Sequence, residues 1–143
     1  MRGFTLIEIL IVVAITAVLI KIALPSLDLL TSQTGATDAA VVYAQALRRA
    51  EALAVAGRND SPWGVKIATS SILLFKGATY ASRDIVYDDQ YAASIVFIVS
   101  GVTEVDFAKF TGLPNTQGTA TITDILGTVT KTVTINAKGT VTY

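Results

Sequence analysis

The sequence predicts an α+β protein in which a long helical N-terminal region, apolar first and amphipathic after, leads into a β-rich C-terminal head. Three observations carry this. From Phe4 to Leu24 only Thr5, Glu8, Thr16 and Lys21 are not apolar. From Thr37 to Gly57 the chain is alanine-rich, with Tyr43, Leu47, Ala50 and Ala54 at helical spacing. After Pro62 it changes to short β-rich runs separated by turn residues.

At about 1.5 Å per residue, a helix over the apolar run is about 30 Å long, enough to cross a bilayer. Met1-Arg2 before it would also suit a secretory signal peptide. An early glutamate, Lys21 near the end and the absence of a cleavage-like turn argue against that. Arg2 and Lys21 lie on opposite sides of the run, and the α-amino group tips the balance towards an N-terminus-in topology. Glu8 is the anomaly. A charged side chain at mid-bilayer costs roughly 2.5 to 3.5 kcal/mol on insertion scales, and less near an end, so its carboxylate calls for a partner. Pro25 removes one helical hydrogen bond and should bend the helix there or end it at the membrane surface. Asp28 and Thr31-Ser32-Gln33-Thr34-Gly35 mark the emergence into water, with Gly35 a place where the helix can loosen.

In the second helical stretch the apolar stripe needs a surface to pack on, while Asp38, Arg48, Arg49 and Glu51 suit a wet face. Gly57 and then Pro62 supply its stop. Eight β-rich runs follow: Trp63–Ala68, Ile72–Lys76, Ile85–Tyr87, Ile95–Ser100, Val105–Phe107, Thr119–Ile125, Val129–Asn136 and Thr140–Tyr143. Thr119–Thr123 and Thr132–Asn136 alternate threonine with alanine, valine or isoleucine, as strands with one buried and one wet face do. Asn136-Ala137-Lys138-Gly139 reads as the turn of a last hairpin.

Several functions lack the residues they need. Eleven basic and eleven acidic residues balance to zero, without a block of either sign to steer a polyanion. There is no cysteine and no histidine, which removes disulfides, thiolate metal sites and the commonest general base. No nucleophile elbow, Walker loop or dinucleotide fingerprint occurs, so neither enzyme nor cofactor is expected. Asp84, Asp88 and Asp89 lack the ligand alternation of a calcium loop and read as a solvated turn. Asn59-Asp60-Ser61 is a glycosylation triplet followed by Pro62, a pattern common by chance.

Gly3-Phe4-Thr5-Leu6-Ile7-Glu8-Ile9-Leu10-Ile11-Val12-Val13 resembles the leader junction of type IV pilins and type II secretion pseudopilins. The resemblance implies a leader at 1–3, a transmembrane and assembly half of the helix at 4–30, an amphipathic half with a loop at 31–61, and a head at 62–143. It implies cleavage after Gly3 by a prepilin peptidase and N-methylation of the new terminus, Phe4. Subunit assembly then falls to Phe4, Thr5, Leu6, Ile7 and Glu8, with the Glu8 carboxylate paired to the Phe4 amine of a neighbour and with Pro25 as the helix kink. The implied fold is a transmembrane-to-amphipathic α-helix packed on an antiparallel β-sheet head.

The helix ending Ala46-Leu47-Arg48-Arg49-Ala50-Glu51-Ala52, the Phe107–Gly112 segment and the final glycine-containing hairpin are similar to the GspH/FimT subgroup of minor pilins. The implied partners are the prepilin peptidase, other pilin or pseudopilin subunits, a cytoplasmic-membrane assembly platform, and membrane lipid before assembly. The implied location is the inner membrane, single pass with the head outside, and then a pilus or pseudopilus. A major pilin is the alternative. Another is a DNA-binding minor pilin of an uptake machine, with Arg58, Lys131 and Lys138 as the phosphate-contacting set.

Overall fold

The computed structural model describes residues 4–92 and 96–143, and the side chains of residues 22–34 and 92 fall outside the description. The chain divides into two compact units, Met1–Thr31 and Ser32–Tyr143. One helix, α1 (Leu6–Val55), is assigned through both, and it passes Gly35 without a break. The bend expected at Pro25, and the side chains of the emergence at 28 and 31–34, lie outside the described residues. Among the described residues no helix is long and apolar enough to cross a membrane. The described side chains of the apolar run end at Lys21, short of the roughly 20 residues a span needs.

In the second unit the helix lays one stripe into the core. Ala36, Ala40, Tyr43, Leu47, Ala50 and Ala54 are all buried and recur at alternating steps of four and three, the period of a single helix face. Ala39, Ala44 and Ala46 widen the stripe. Alanine lets the backbone approach the strands closely, and Tyr43 and Leu47 are the large, fully buried side chains of the stripe. Asp38, Gln45, Arg48 and Arg49 face solvent, as an amphipathic helix requires.

The described residues of the head form β1 (Trp63–Ala68), β2 (Ser71–Lys76), β3 (Asp84–Ala92), β4 (Phe97–Gly101), β5 (Glu104–Phe107), β6 (Gly118–Asp124), β7 (Thr130–Ile135) and β8 (Val141–Thr142). They assemble into two four-stranded sheets, ordered β3-β2-β1-β5 and β4-β6-β7-β8, with every pairing antiparallel. Both sheets send side chains to one core with the helix: Val65, Ile67, Ile72, Leu74, Val105 and Phe107 from the first, Phe97, Ala120, Ile122, Val133, Ile135 and Val141 from the second.

The threonine alternation has the expected consequence. Ala120, Ile122, Val133 and Ile135 point inward, while Thr119 and Thr134 meet on the outer face with hydroxyls 3.0 Å apart. The acidic triplet departs from expectation, because Asp84, Asp88 and Asp89 lie on a nine-residue strand and not in a turn. Each has a cation: Lys76 at 3.4 Å from Asp84, Arg83 at 2.9 Å from Asp88 and Arg49 at 2.8 Å from Asp89.

Strand β7 runs beside the helix in the same direction. At its start Thr130, Lys131 and Thr132 share a hollow with Thr37, Ala40 and Val41. Past its end Gly139 lies against Glu51. The head therefore has an entry end, where the helix comes in and the β6–β7 turn projects, and a far end, where the helix stops.

Candidate processing and assembly site

Helix α1 begins at Leu6, which makes Thr5 the N-cap and Glu8 the third helical residue. The Glu8 amide donates to Thr5 Oγ1 at 3.4 Å, and the Thr5 amide donates to Glu8 Oε2 at 3.4 Å. The Thr5 carbonyl oxygen also accepts from the Glu8 and Ile9 amides, at 3.1 and 3.3 Å. This is a capping box, in which each side chain accepts from the other residue's backbone amide. Its sequence signature, Thr-x-x-Glu before an apolar run, is present at residues 5–8, and reading Glu8 only as a charge in need of a counter-ion overlooks it. Within one chain the carboxylate thus has a partner in the Thr5 amide. A carboxylate has two oxygens and accepts several bonds, so this one leaves room for an ammonium donor.

Phe4 and Ile9, the positions that flank a capping box in a hydrophobic staple, line one surface hollow with Thr5, Leu6, Leu10 and Val13. Thr16 hides its polarity: its hydroxyl donates to the Val12 carbonyl oxygen at 2.7 Å. Leu10, Ile11, Val12 and Val13 are each more than half exposed. Four successive residues point to all sides of a helix, so this helix is apolar all round and bare all round. Such a helix is stable only where lipid or other protein covers it. Gly3, with the rest of the expected leader, lies outside the described residues.

At the far end of the head α1 is stopped just past Val55 by Gly57, whose φ of 60° is left-handed, and a short turn follows at Arg58–Asp60 in which Asn59 and Asp60 are left-handed too. Phe110 closes this end: its amide donates to the Ala54 carbonyl oxygen at 2.9 Å, and its ring lies over Gly57. Phe110 itself has φ 67°, a conformation rare for a bulky residue. Glu51 sits between the loop of Gly112 and the last hairpin, and burial pushes its carboxyl above the usual range. The segment Phe107–Gly112 and the final hairpin therefore converge on the end of the helix through Glu51, a residue that sequence reading placed only on the wet face.

Of the three cations considered for a nucleic acid, Arg58 and Lys138 lie at the far end of the head and Lys131 at its entry end. Arg58 lines a cleft of about 380 Å³ with Arg49, Trp63 and Tyr87. Lys131 lines the hollow at the entry end, about 300 Å³. Lys138 lies in the last hairpin turn, its amide donating to Asn136 Oδ1 at 2.9 Å.

Residues 1–23 match the family model described as the prokaryotic N-terminal methylation motif. No curated protein and no solved structure matches the chain. The motif supports a prepilin-type pilin or pseudopilin subunit that is processed by a prepilin peptidase and assembles with other such subunits.

Proposed function

We propose that this chain is a structural prepilin: it is held in the cytoplasmic membrane by a single pass with its head outside, cut after Gly3, methylated at Phe4 and added to a filament through its apolar helix. The observation that carries this reading is the helix from Leu6 to Ile20, apolar but for Glu8 and Thr16 and exposed on every side, within the matched methylation motif. Lipid covers it before assembly, and the helices of other subunits cover it afterwards. Glu8 caps the helix through Oε2, and its remaining acceptor capacity receives the Phe4 ammonium of a neighbour. Cleavage creates that ammonium, so processing and assembly are linked through one charge.

Within this class we favour a GspH/FimT-like minor subunit of a type IV pilus or type II secretion pseudopilus. The closure of the helix end by Phe107–Gly112 and the last hairpin supports that choice over a major pilin. With Lys131 at the opposite end of the head from Arg58 and Lys138, DNA uptake has no comparable support. The deciding experiment is mass spectrometry of the N-terminal peptide from membranes of cells that carry a prepilin peptidase. A peptide beginning at N-methylated Phe4 is expected, and one beginning at Met1 overturns the reading.

A further inference from the structure

The cleft of about 380 Å³ at the far end of the head is bounded by the end of α1, the turn after it and strand β3. An irregularity in strand pairing makes room for it. Strands β2 and β3 are in register at Leu74–Asp89 and again at Lys76–Asp84, so residues 85–88 of β3 stand opposite the single Phe75 of β2. A bulge of this kind turns a strand away from its partner and re-aims its side chains. Val86 and Tyr87, both on the bulge, line the cleft with Leu53 of the helix, Trp63 of β1 and Leu74 of β2. The two rings are held in place: Trp63 meets Tyr87 edge-on at 6.3 Å, and Lys76 Nζ lies 4.3 Å from the centre of the Tyr87 ring. The Trp63 indole N–H donates to the Arg58 carbonyl oxygen at 2.9 Å and so pins the turn that carries Arg58. In that turn Asn59 and Asp60 are both left-handed, a strained arrangement of the kind that gathers at ligand sites.

Arg49, Arg58, Asp88 and Asp89 are the charged residues of the cleft. Arg49 is paired with Asp89 at 2.8 Å, and Asp88 with Arg83 at 2.9 Å. Asp60, close to Arg58 in the turn, is taken by Lys109 at 2.7 Å. Among the described residues the Arg58 guanidinium has no acidic partner, so the cleft presents one unneutralised positive charge beside an apolar wall. The complementary ligand carries a single anionic group on an apolar body. A nucleic-acid strand, with a phosphate at every nucleotide, would bring further negative charge against Asp88 and Asp89. Asp88 adds a second requirement, because its Oδ1 is enclosed without a donor among the described residues, and an acceptor in that state calls for an N–H. A peptide end supplies both amide N–H groups and a terminal carboxylate, whereas a fatty acid supplies only the carboxylate.

We propose that this cleft binds the C-terminal end of a peptide, with the terminal carboxylate on the Arg58 guanidinium and an apolar last side chain against Leu53, Val86 and Tyr87. A guanidinium takes a carboxylate in a two-pronged, charge-assisted pair. The size agrees: about 380 Å³ lies at the small end of the range for ligand cavities and admits the end of a chain, not a folded surface. The site does not depend on the filament reading, since every residue of it lies within the unit Ser32–Tyr143.

Trp63 is the only tryptophan of the chain and lines the cleft, so its emission reads occupancy directly. The probe is acetyl-Leu-Phe with a free carboxylate, titrated into the full-length chain in detergent micelles beside the same peptide ending in an amide. The expected result is a saturable change in Trp63 emission with the free acid. Affinity should fall at least about tenfold for the amide, and by as much for the free acid with Arg58→Gln. That substitution changes only an exposed side chain and keeps the backbone carbonyl that holds Trp63. Equal affinity for acid and amide overturns the proposal, as does an Arg58→Gln chain that binds like wild type or the lack of any saturable response. Phenylpropanoate, which has the ring and the carboxylate but no amide, should bind more weakly than the peptide; equal binding makes the occupant a small acid and overturns the peptide. An oligothymidylate that binds more tightly than the peptide, and loses its affinity with Arg58→Gln, overturns it in favour of nucleic acid.

Discussion

Thr5 and Glu8 hold each other across the first turn of the helix, each side chain taking the other's backbone amide at 3.4 Å. Glu8 is thus an acceptor for its own helix, and the proposed assembly gives it a second role, a charge for a neighbour. Glu8→Gln separates them, because a glutamine carbonyl still caps the Thr5 amide but carries no charge. A hydrogen bond to a charged group is worth about 1.5 to 3 kcal/mol, roughly a tenfold to hundredfold change in an equilibrium. Glu8→Gln should therefore insert normally, yet appear in sheared filaments at no more than about a tenth of the wild-type level. Thr5→Ala loses only a cap, at about 1 kcal/mol, and should assemble far better than Glu8→Gln. Equal recovery of Glu8→Gln and wild type would remove the charge from the assembly step.

Gly139 has φ 87°, and a Cβ placed on it would stand 2.9 Å from Glu51 Oε1 and 3.0 Å from the Gly112 carbonyl oxygen. The carbonyl is backbone and has little freedom to move. Gly139→Ala thus combines an unfavourable left-handed conformation with a close contact and should cost about 1 to 3 kcal/mol, a fall of several degrees in the melting temperature of the head. Shortening Glu51 relieves only one of the two contacts, so Gly139→Ala with Glu51→Ala should recover part of the loss. Full recovery would mean that the carboxylate alone sets the limit.

Much of this head is legible in the sequence where a local pattern carries it. The Trp63–Ala68 run coincides with β1, and the alternation of threonine with aliphatic residues places Ala120, Ile122, Val133 and Ile135 inside. The pattern fails at β3, because Asp84, Asp88, Asp89 and Gln90 break the apolar alternation of a strand nine residues long. What allows those charges there is pairing with Lys76, Arg83 and Arg49, and the Arg49 pair joins residues forty positions apart. Division into two sheets is hidden for the same reason, since β1 pairs with β5 and β4 with β6 across intervening chain. At the processing site the Thr-x-x-Glu box was readable. The closure of the helix end by Phe110 and Glu51 was not, because it depends on three segments distant in sequence.

Burial raises the carboxyls of both Asp106 and Glu51 above their ordinary values of 3.8 and 4.5. A carboxyl raised on folding binds its proton more tightly in the native state. Its contribution is fully present below the unfolded value and is lost as pH rises through the folded one. Asp60, which Lys109 holds below its usual range, has the opposite sign, but it is solvent-exposed and its effect is small. Asp106→Asn keeps an acceptor for the Asn115 side-chain amide and cannot ionise. The melting temperature of the variant should match wild type near pH 3 and equal or exceed it at pH 7. A variant that loses stability more steeply than wild type over that interval would show that the charge on Asp106 is stabilising.

Tyr43 and Leu47 lie one turn apart on the buried stripe, both without exposure, but they should respond in opposite ways to truncation. The Tyr43 hydroxyl is buried with no hydrogen-bond partner among the described residues, and burial pushes its pKa well above that of a free phenol. An unsatisfied buried hydroxyl carries its desolvation cost without return, so Tyr43→Phe should be neutral or stabilising by about 1 kcal/mol. Leu47→Ala removes buried methyl groups from the core that the helix shares with both sheets, and should cost about 2 to 5 kcal/mol. Chemical denaturation of the two variants beside wild type reads the difference. A Tyr43→Phe protein destabilised by more than about 1 kcal/mol would show that the hydroxyl has a partner in solution.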